Sequence, residues 1–100
     1  MRRSETSILF DERHPCLEGH FDGRPIVPAV AILAELAAWI EVETGRCVIG
    51  IERARFQASL LPNVRWKVEL EERAAGEVRV ACSHDGRLAM SAKFAMAHGE

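Results

Sequence analysis

Apolar positions change period along this chain, and the changes divide it into elements. Ser7-Ile8-Leu9-Phe10 is a short apolar run that reads as a first strand. Asp11 to Gly23 is polar and interrupted by glycine and proline, which predicts a loop. Pro25 and Pro28 hold their predecessors extended, and Pro28 suits the first position of a helix. From Pro28 to about Glu43 the chain is alanine, leucine, isoleucine and glutamate, all compatible with helix. Thr44-Gly45 closes it, with Gly45 a natural residue for the left-handed turn that ends a helix.

Beyond Gly45 the pattern becomes alternating. Val48-Ile49-Gly50-Ile51 begins a strand that extends through Phe56 toward Ser59, and Leu61-Pro62-Asn63 forms a turn. Val64 to Glu71 alternates apolar and charged residues, the pattern of a half-buried strand. Ala75-Gly76 turns the chain, and Val78, Val80 and Cys82 alternate with Arg79, Ala81 and Ser83 in another strand. Asp85-Gly86 is a hairpin signal, followed by a last strand over Leu88 to Met96. The predicted order is one strand, a long loop, one helix, then four strands joined by tight turns.

A helix apolar on nearly every side is not satisfied by packing one face on a sheet. A curved antiparallel sheet around it, with a second subunit closing the remainder, satisfies it. That is an α+β layer arrangement in a single domain spanning 1–100. A chain of 100 residues buries a limited core by itself, which further favours a dimer or larger assembly.

Charge and cysteine content remove several function classes. The formal charge is −2, with 48% apolar and 28% charged residues, which argues against a nucleic-acid partner. Basic residues form no cluster of the kind that docks on a membrane, and the apolar run from Ile26 to Ile40 is too short to span one. Cys16, Cys47 and Cys82 lie far apart without a C-x-x-C pair, so neither a metal site nor a disulfide framework is expected. Free thiols suit a reducing cytoplasm, and the charged N-terminus lacks the apolar segment of a signal peptide.

The candidate chemistry lies at the loop-to-helix junction. His20 stands in Gly19-His20-Phe21-Asp22-Gly23-Arg24-Pro25-Ile26-Val27-Pro28, a loop stiffened by glycine and proline. An imidazole titrates near neutrality, at about pH 6.5 when unperturbed, which suits a proton-transfer base. Glu35 is the carboxylate inside the apolar helix. An apolar setting favours a protonated carboxyl, the form in which a general acid acts. Asp22 reads as a turn residue before Gly23, and His14, His84 and His98 as solvated histidines. Trp39 and Trp66 read as core or interface residues, with Trp39 against the sheet. Phe21 is expected to anchor the loop beneath His20. Arg53, Arg55, Arg65 and Lys67 read as a solvent face, with the further possibility of docking an acidic carrier protein.

The motif G-H-F-x-G-x-P-(apolar)-(apolar)-P over Gly19 to Pro28, leading into an apolar helix, resembles the hot-dog-fold 3-hydroxyacyl-acyl-carrier-protein dehydratases. Ala54-Arg55-Phe56-Gln57-Ala58-Ser59-Leu60-Leu61-Pro62-Asn63 is similar to the second strand and turn of that family, and the likeness runs from about Ser7 to Met96. It implies a curved antiparallel sheet wrapped around one long central helix, and a dimer with active sites at the subunit interface. It implies His20 as the base that takes a proton from C2 of the acyl thioester, and a helix acid, Glu35, that protonates the departing 3-hydroxyl. Phe21, Gly23, Pro28, Ala29 and Val30 would line the substrate, with N–H groups near Ala29 and Val30 polarising the thioester carbonyl. No metal or dissociable cofactor is implied, since the substrate rides on the phosphopantetheine of acyl carrier protein. The assembly would be a homodimer or higher oligomer, or a heterodimer with a paralogue.

Two features depart from the family pattern. Ala29 and Asp22 replace a glycine and a proline. Counted without gaps, the family's helix acid falls at Ala34, with Glu35 one residue later and about 100° further around the helix. The alternatives are therefore an acyl thioesterase of the same fold and a non-catalytic acyl-binding or partner subunit.

Overall fold

A computed structural model describes residues 2–10, 27, 29–58, 60–74 and 76–97. The elements run β1 (Arg2–Leu9), α1 (Ala29–Thr44), β2 (Val48–Phe56), β3 (Arg65–Ala74), β4 (Glu77–His84) and β5 (Arg87–Met96). The strands form one antiparallel sheet in the order β1-β3-β4-β5-β2. The helix lies on one face of that sheet, giving the expected α+β architecture.

The core is built from period-two strand positions meeting a period-3.6 stripe. Trp66, Val68 and Leu70 of β3 point inward, as do Val78, Val80 and Cys82 of β4 and Met90, Ala92, Phe94 and Met96 of β5. Ile32, Leu36 and Ile40, spaced by four residues, supply the helix stripe, and all three are buried. Every buried residue among those described is apolar. Gly45 ends the helix at a φ of 71°, its N–H donating to the Glu41 carbonyl at 2.9 Å. The Glu41 carboxylate in turn accepts from the Val48 N–H at 2.8 Å, fixing where β2 starts. Asp85 and Gly86 have φ values of 51° and 76°, the two left-handed residues of a type I′ hairpin.

Three expectations change. First, β1 begins at Arg2 rather than Ser7. Its inward positions Ser4 and Thr6 are small and polar, so an apolar search finds only the Ile8 end. Second, β2 ends at Phe56 and does not run on toward Ser59. It is an edge strand exposed along nearly its whole length, with Ile49, Ile51 and Phe56 open to solvent. Third, β2 and β3 are not joined by a tight turn. β2 pairs with β5 at one edge, and residues 57–64 carry the chain across to β3. Alternation along a strand reports which face is buried, not which strand lies beside it. As expected of a helix whose sheet leaves a remainder for a second subunit, part of its surface is open in the protomer, with Val30 76% and Val42 83% exposed.

The burial of Cys82 carries a pH consequence. Desolvation pushes its thiol up to about 12 from an ordinary value of 9.0. The unfolded thiol ionises first, so this stabilisation is complete below about pH 9 and is lost as pH rises toward about 12. Over that window Cys82 contributes a stability slope on the order of 1 kcal/mol per pH unit. Cys82→Val is expected to flatten the alkaline limb of a denaturant-melt stability profile by that amount. An unchanged limb would show that Cys82 does not carry it.

Candidate active site

Residues 60–63, between β2 and β3, are a tie point for both ends of the segment that carries the histidine motif. Phe10, just past β1, accepts at its carbonyl from the Asn63 N–H at 2.7 Å. Val27, just before the helix, donates its N–H to the Leu60 carbonyl at 2.9 Å. The indole N–H of Trp66 donates to the Leu61 carbonyl at 3.4 Å. Val27 and Leu60 are both buried, so the bond between them is shielded and costly to break, while the other two ties join buried Phe10 and Trp66 to the exposed Asn63 and Leu61. Asn63 adopts a φ of 62°, which asparagine tolerates better than most residues and which turns the chain into β3. Sequence reading identified the turn at Leu61-Pro62-Asn63 but not its role as the anchor of the loop. The signal was available in the apolar pair Leu60-Leu61 ahead of a turn, which has no reason to be apolar unless one member is buried.

The segment 11–26 between these anchors lies outside the described residues, as does position 28. His20, Phe21, Gly23 and Pro28 therefore fall outside them, together with Asp22, His14 and Cys16. Ala29 and Val30 are the first two residues of α1 and both are exposed. Their N–H groups belong to the first turn, which has no carbonyl four residues back to accept them. That turn carries no acidic side chain, so the positive end of the helix dipole is not offset by its own residues.

Glu35 is exposed in the protomer, and the expectation of an interior carboxylate is corrected. The reason is its phase. Relative to the buried line Ile32-Leu36-Ile40, Glu35 lies about 100° around the helix and Ala34 about 160° around the other way. Glu35 shares its flank with Ala31, Ala38, Trp39 and Val42, at spacings of three, four and seven residues. Ala31 and Trp39 are half-buried, while Ala38 and Val42 are exposed. The carboxylate is the one charged group on a stripe that is otherwise apolar. Ala34 shares the other flank with Val30, Ala37 and Glu41.

Of the remaining candidates, Trp39 packs against the core, as expected, and Trp66 is buried within it. His84 is exposed, with its Nδ1 3.2 Å from the Arg65 carbonyl and its ring 5.6 Å from that of Trp66. Arg53, Arg55, Arg65 and Lys67 are exposed on the face of the sheet away from the helix. Among the described residues, no helix is long and apolar enough to cross a membrane.

Comparison with known proteins places these features in a family. Residues 1–93 match the ApeI-like family, described as ApeI dehydratase. The 3-hydroxyacyl-[acyl-carrier-protein] dehydratase FabZ of Mannheimia succiniciproducens is 34% identical over 94 residues, covering 80% of this chain and 63% of its own length. FabZ of Acetivibrio thermocellus is 32% identical over 97 residues, covering 82% and 66%. The chain thus spans about two-thirds of the length of these relatives. Among solved structures, the dehydratase heterocomplex ApeI:P from Xenorhabdus doucetiae superposes with a TM-score of 0.82 at 18% identity, covering 96% of this chain and 88% of that one. An apo-hexameric acyl-CoA thioesterase superposes with a TM-score of 0.61 at 14% identity, covering 98% and 69%. At those identities the structures speak for the fold alone. With the matched family running through the histidine loop, the helix and the sheet, this chain belongs to the ApeI-like dehydratases and is a divergent member of the hot-dog dehydratase group.

Proposed function

We propose that this protein dehydrates a 3-hydroxyacyl thioester carried on acyl carrier protein, giving the trans-2-enoyl thioester and water, in fatty acid or related lipid biosynthesis in the cytoplasm. The observation that carries the proposal is the family match over residues 1–93, which includes the His20 motif and the helix behind it. His20 takes a proton from C2, and the electron pair moves to form the C2–C3 double bond. The hydroxyl leaves C3 with a proton from Glu35. N–H groups at the start of α1, near Ala29 and Val30, stabilise the negative charge that develops on the thioester oxygen. Phe21, Gly23 and Pro28 shape the loop around the acyl chain, and phosphopantetheine delivers it. The chemistry calls for no metal.

Two observations support an assembled rather than a monomeric enzyme. The nine-residue edge strand β2 offers unpaired backbone groups flanked by exposed Ile49, Ile51 and Phe56, a surface that pairing with another chain would cover. The Glu35 stripe is apolar enough to be covered as well, and coverage would desolvate the carboxyl as an acid catalyst requires. The covering chain is a second copy or a paralogue.

Incubation of the purified chain with a 3-hydroxyacyl thioester, free and on acyl carrier protein, tests this by mass spectrometry. Loss of one water with the thioester intact is the expected result. Release of free thiol would replace the proposal with thioester hydrolysis, the reading favoured by the fold likeness to an acyl-CoA thioesterase. No conversion by either route would favour a non-catalytic partner subunit, the reading suggested by Ala34 at the position of the family's acid.

A further inference from the structure

Among the buried residues described, only Trp66 carries an N–H or O–H on its side chain. A phenylalanine would supply similar aromatic bulk at the start of β3, so bulk alone does not account for an indole there. The indole N–H has the partner that a buried indole normally requires. It donates to the Leu61 carbonyl at 3.4 Å.

That carbonyl lies between two other bonds. Leu60, on one side of it, accepts from the Val27 N–H, and Asn63, on the other, donates to the Phe10 carbonyl. Pro62 fills the remaining position and has no N–H to give. Leu61 and Asn63 are both exposed, so burial does not hold them in place. Trp66, by contrast, is fixed from two sides. Its backbone stands opposite Ile8 of β1, just before Phe10. Its ring meets that of His84 edge-on at 5.6 Å, and His84 Nδ1 lies 3.2 Å from the carbonyl of Arg65, the residue preceding Trp66. The indole thus links an exposed connection to a rigid part of the sheet.

We infer that Trp66 is a positioning residue: its indole N–H, rather than its bulk, sets residues 60–63 against the sheet, and through them the points where the chain leaves β1 and enters α1. Val27 stands just ahead of Ala29, so a shift of the Leu60 carbonyl is passed to the first turn of the helix. The N–H groups of that turn are the ones the proposed dehydration uses at the thioester oxygen. A shift at Asn63 is passed in the same way to Phe10. Trp66 acts here on geometry alone and touches no substrate. Displacing catalytic groups by about 1 Å can cost on the order of 10²-fold in rate, so a small movement of this connection is enough to matter. The effect on rate rests on the dehydration reading; the hold on the connection does not.

Trp66→Phe in the full chain tests this, because it keeps an aromatic ring and removes the N–H. The Val27 and Asn63 amides are donors in the two flanking bonds, so they serve as probes in amide hydrogen exchange followed by NMR. Their exchange is expected to rise about 10-fold, with the amides of β4 and β5 unchanged. The thermal midpoint should stay within about 5 °C of wild type. With a 3-hydroxyacyl thioester, kcat is expected to fall about 10-fold while KM stays within about twofold, the signature of lost transition-state geometry rather than lost substrate binding. Replacing Trp66 by benzothienylalanine keeps the fused ring and exchanges only the N–H for sulfur. It should reproduce both effects, and it decides the matter if the smaller phenylalanine ring disturbs the fold. Exchange at Val27 and Asn63 within about threefold of wild type would overturn the inference, since the N–H would then hold nothing. Faster exchange with kcat within about twofold of wild type would overturn the positioning role in the reaction. If wild type itself does not dehydrate the thioester, the exchange result still decides whether the indole holds the connection, so failure of the functional reading and failure of this one are told apart.

Discussion

His20→Ala is expected to lower dehydration of a 3-hydroxyacyl thioester by on the order of 10² to 10⁴, the usual contribution of a positioned acid or base. The fold should be untouched. The anchors of the segment are the backbone groups of Phe10, Leu60, Val27 and Asn63, and none depends on the imidazole. Rates and melting midpoints measured on the same preparations check both halves of the claim. A rate within threefold of wild type would remove His20 from the mechanism. Glu35→Gln distinguishes its partner. The amide keeps the size of the side chain but has no acidic proton to give a departing hydroxide. A loss on the order of 10² assigns the acid to Glu35. A loss below threefold means that the one-residue displacement from Ala34 has carried the carboxylate out of reach, and the acid must come from another residue of the assembly.

The largest effect on stability is expected at Phe94. It is fully buried on β5, opposite Val78 of β4 and Ile51 of β2, so its ring fills the space between the sheet and the helix stripe. Phe94→Ala should cost about 3 to 5 kcal/mol, combining lost transfer free energy with a cavity that the neighbouring strands cannot close. Against a typical total of about 5 to 15 kcal/mol, that removes a large share of the stability. Denaturant melts at fixed protein concentration should show a lower midpoint at unchanged slope, and the thermal midpoint should fall by more than about 12 °C. The control is Arg87→Ala, at an exposed residue beside the β4–β5 hairpin turn and away from both the Glu35 stripe and the β2 edge, which should change the midpoint little. A cost below about 1 kcal/mol at Phe94 would show that the region repacks freely.

The elements whose burial follows one simple period were legible before any coordinates. Ile32, Leu36 and Ile40 sit at helical spacing, and Gly45 stops that helix. Val68, Leu70, Val78 and Val80 alternate, and Asp85-Gly86 admits a type I′ hairpin and little else. These are local properties, set by backbone geometry and by which side of an element is apolar, so a single chain carries them openly. The His20 motif was legible for a related reason: its glycines and prolines restrict the backbone strongly enough to make the spacing specific. The edge strands were harder to read. β1 hides because Ser4 and Thr6 face inward at the sheet margin, where burial is too shallow to demand apolar residues. β2 misleads because its apolar residues suggest a core that the protomer does not provide.

The sequence by itself determined the α+β class, the single helix, the strand and turn chemistry of the C-terminal half, and, through the Gly19–Pro28 motif, the family. Tertiary structure alone decided that β2 crosses to the far edge beside β5, since strand pairing depends on contacts distant along the chain. It alone showed that the β2–β3 connection holds both ends of the histidine segment, through backbone hydrogen bonds that no side-chain pattern announces. It also turned Glu35 from an interior acid into an exposed one on an apolar flank. A helix apolar all round does not say which side its own sheet covers, and the phase of Ile32, Leu36 and Ile40 settles that only once they meet the strands.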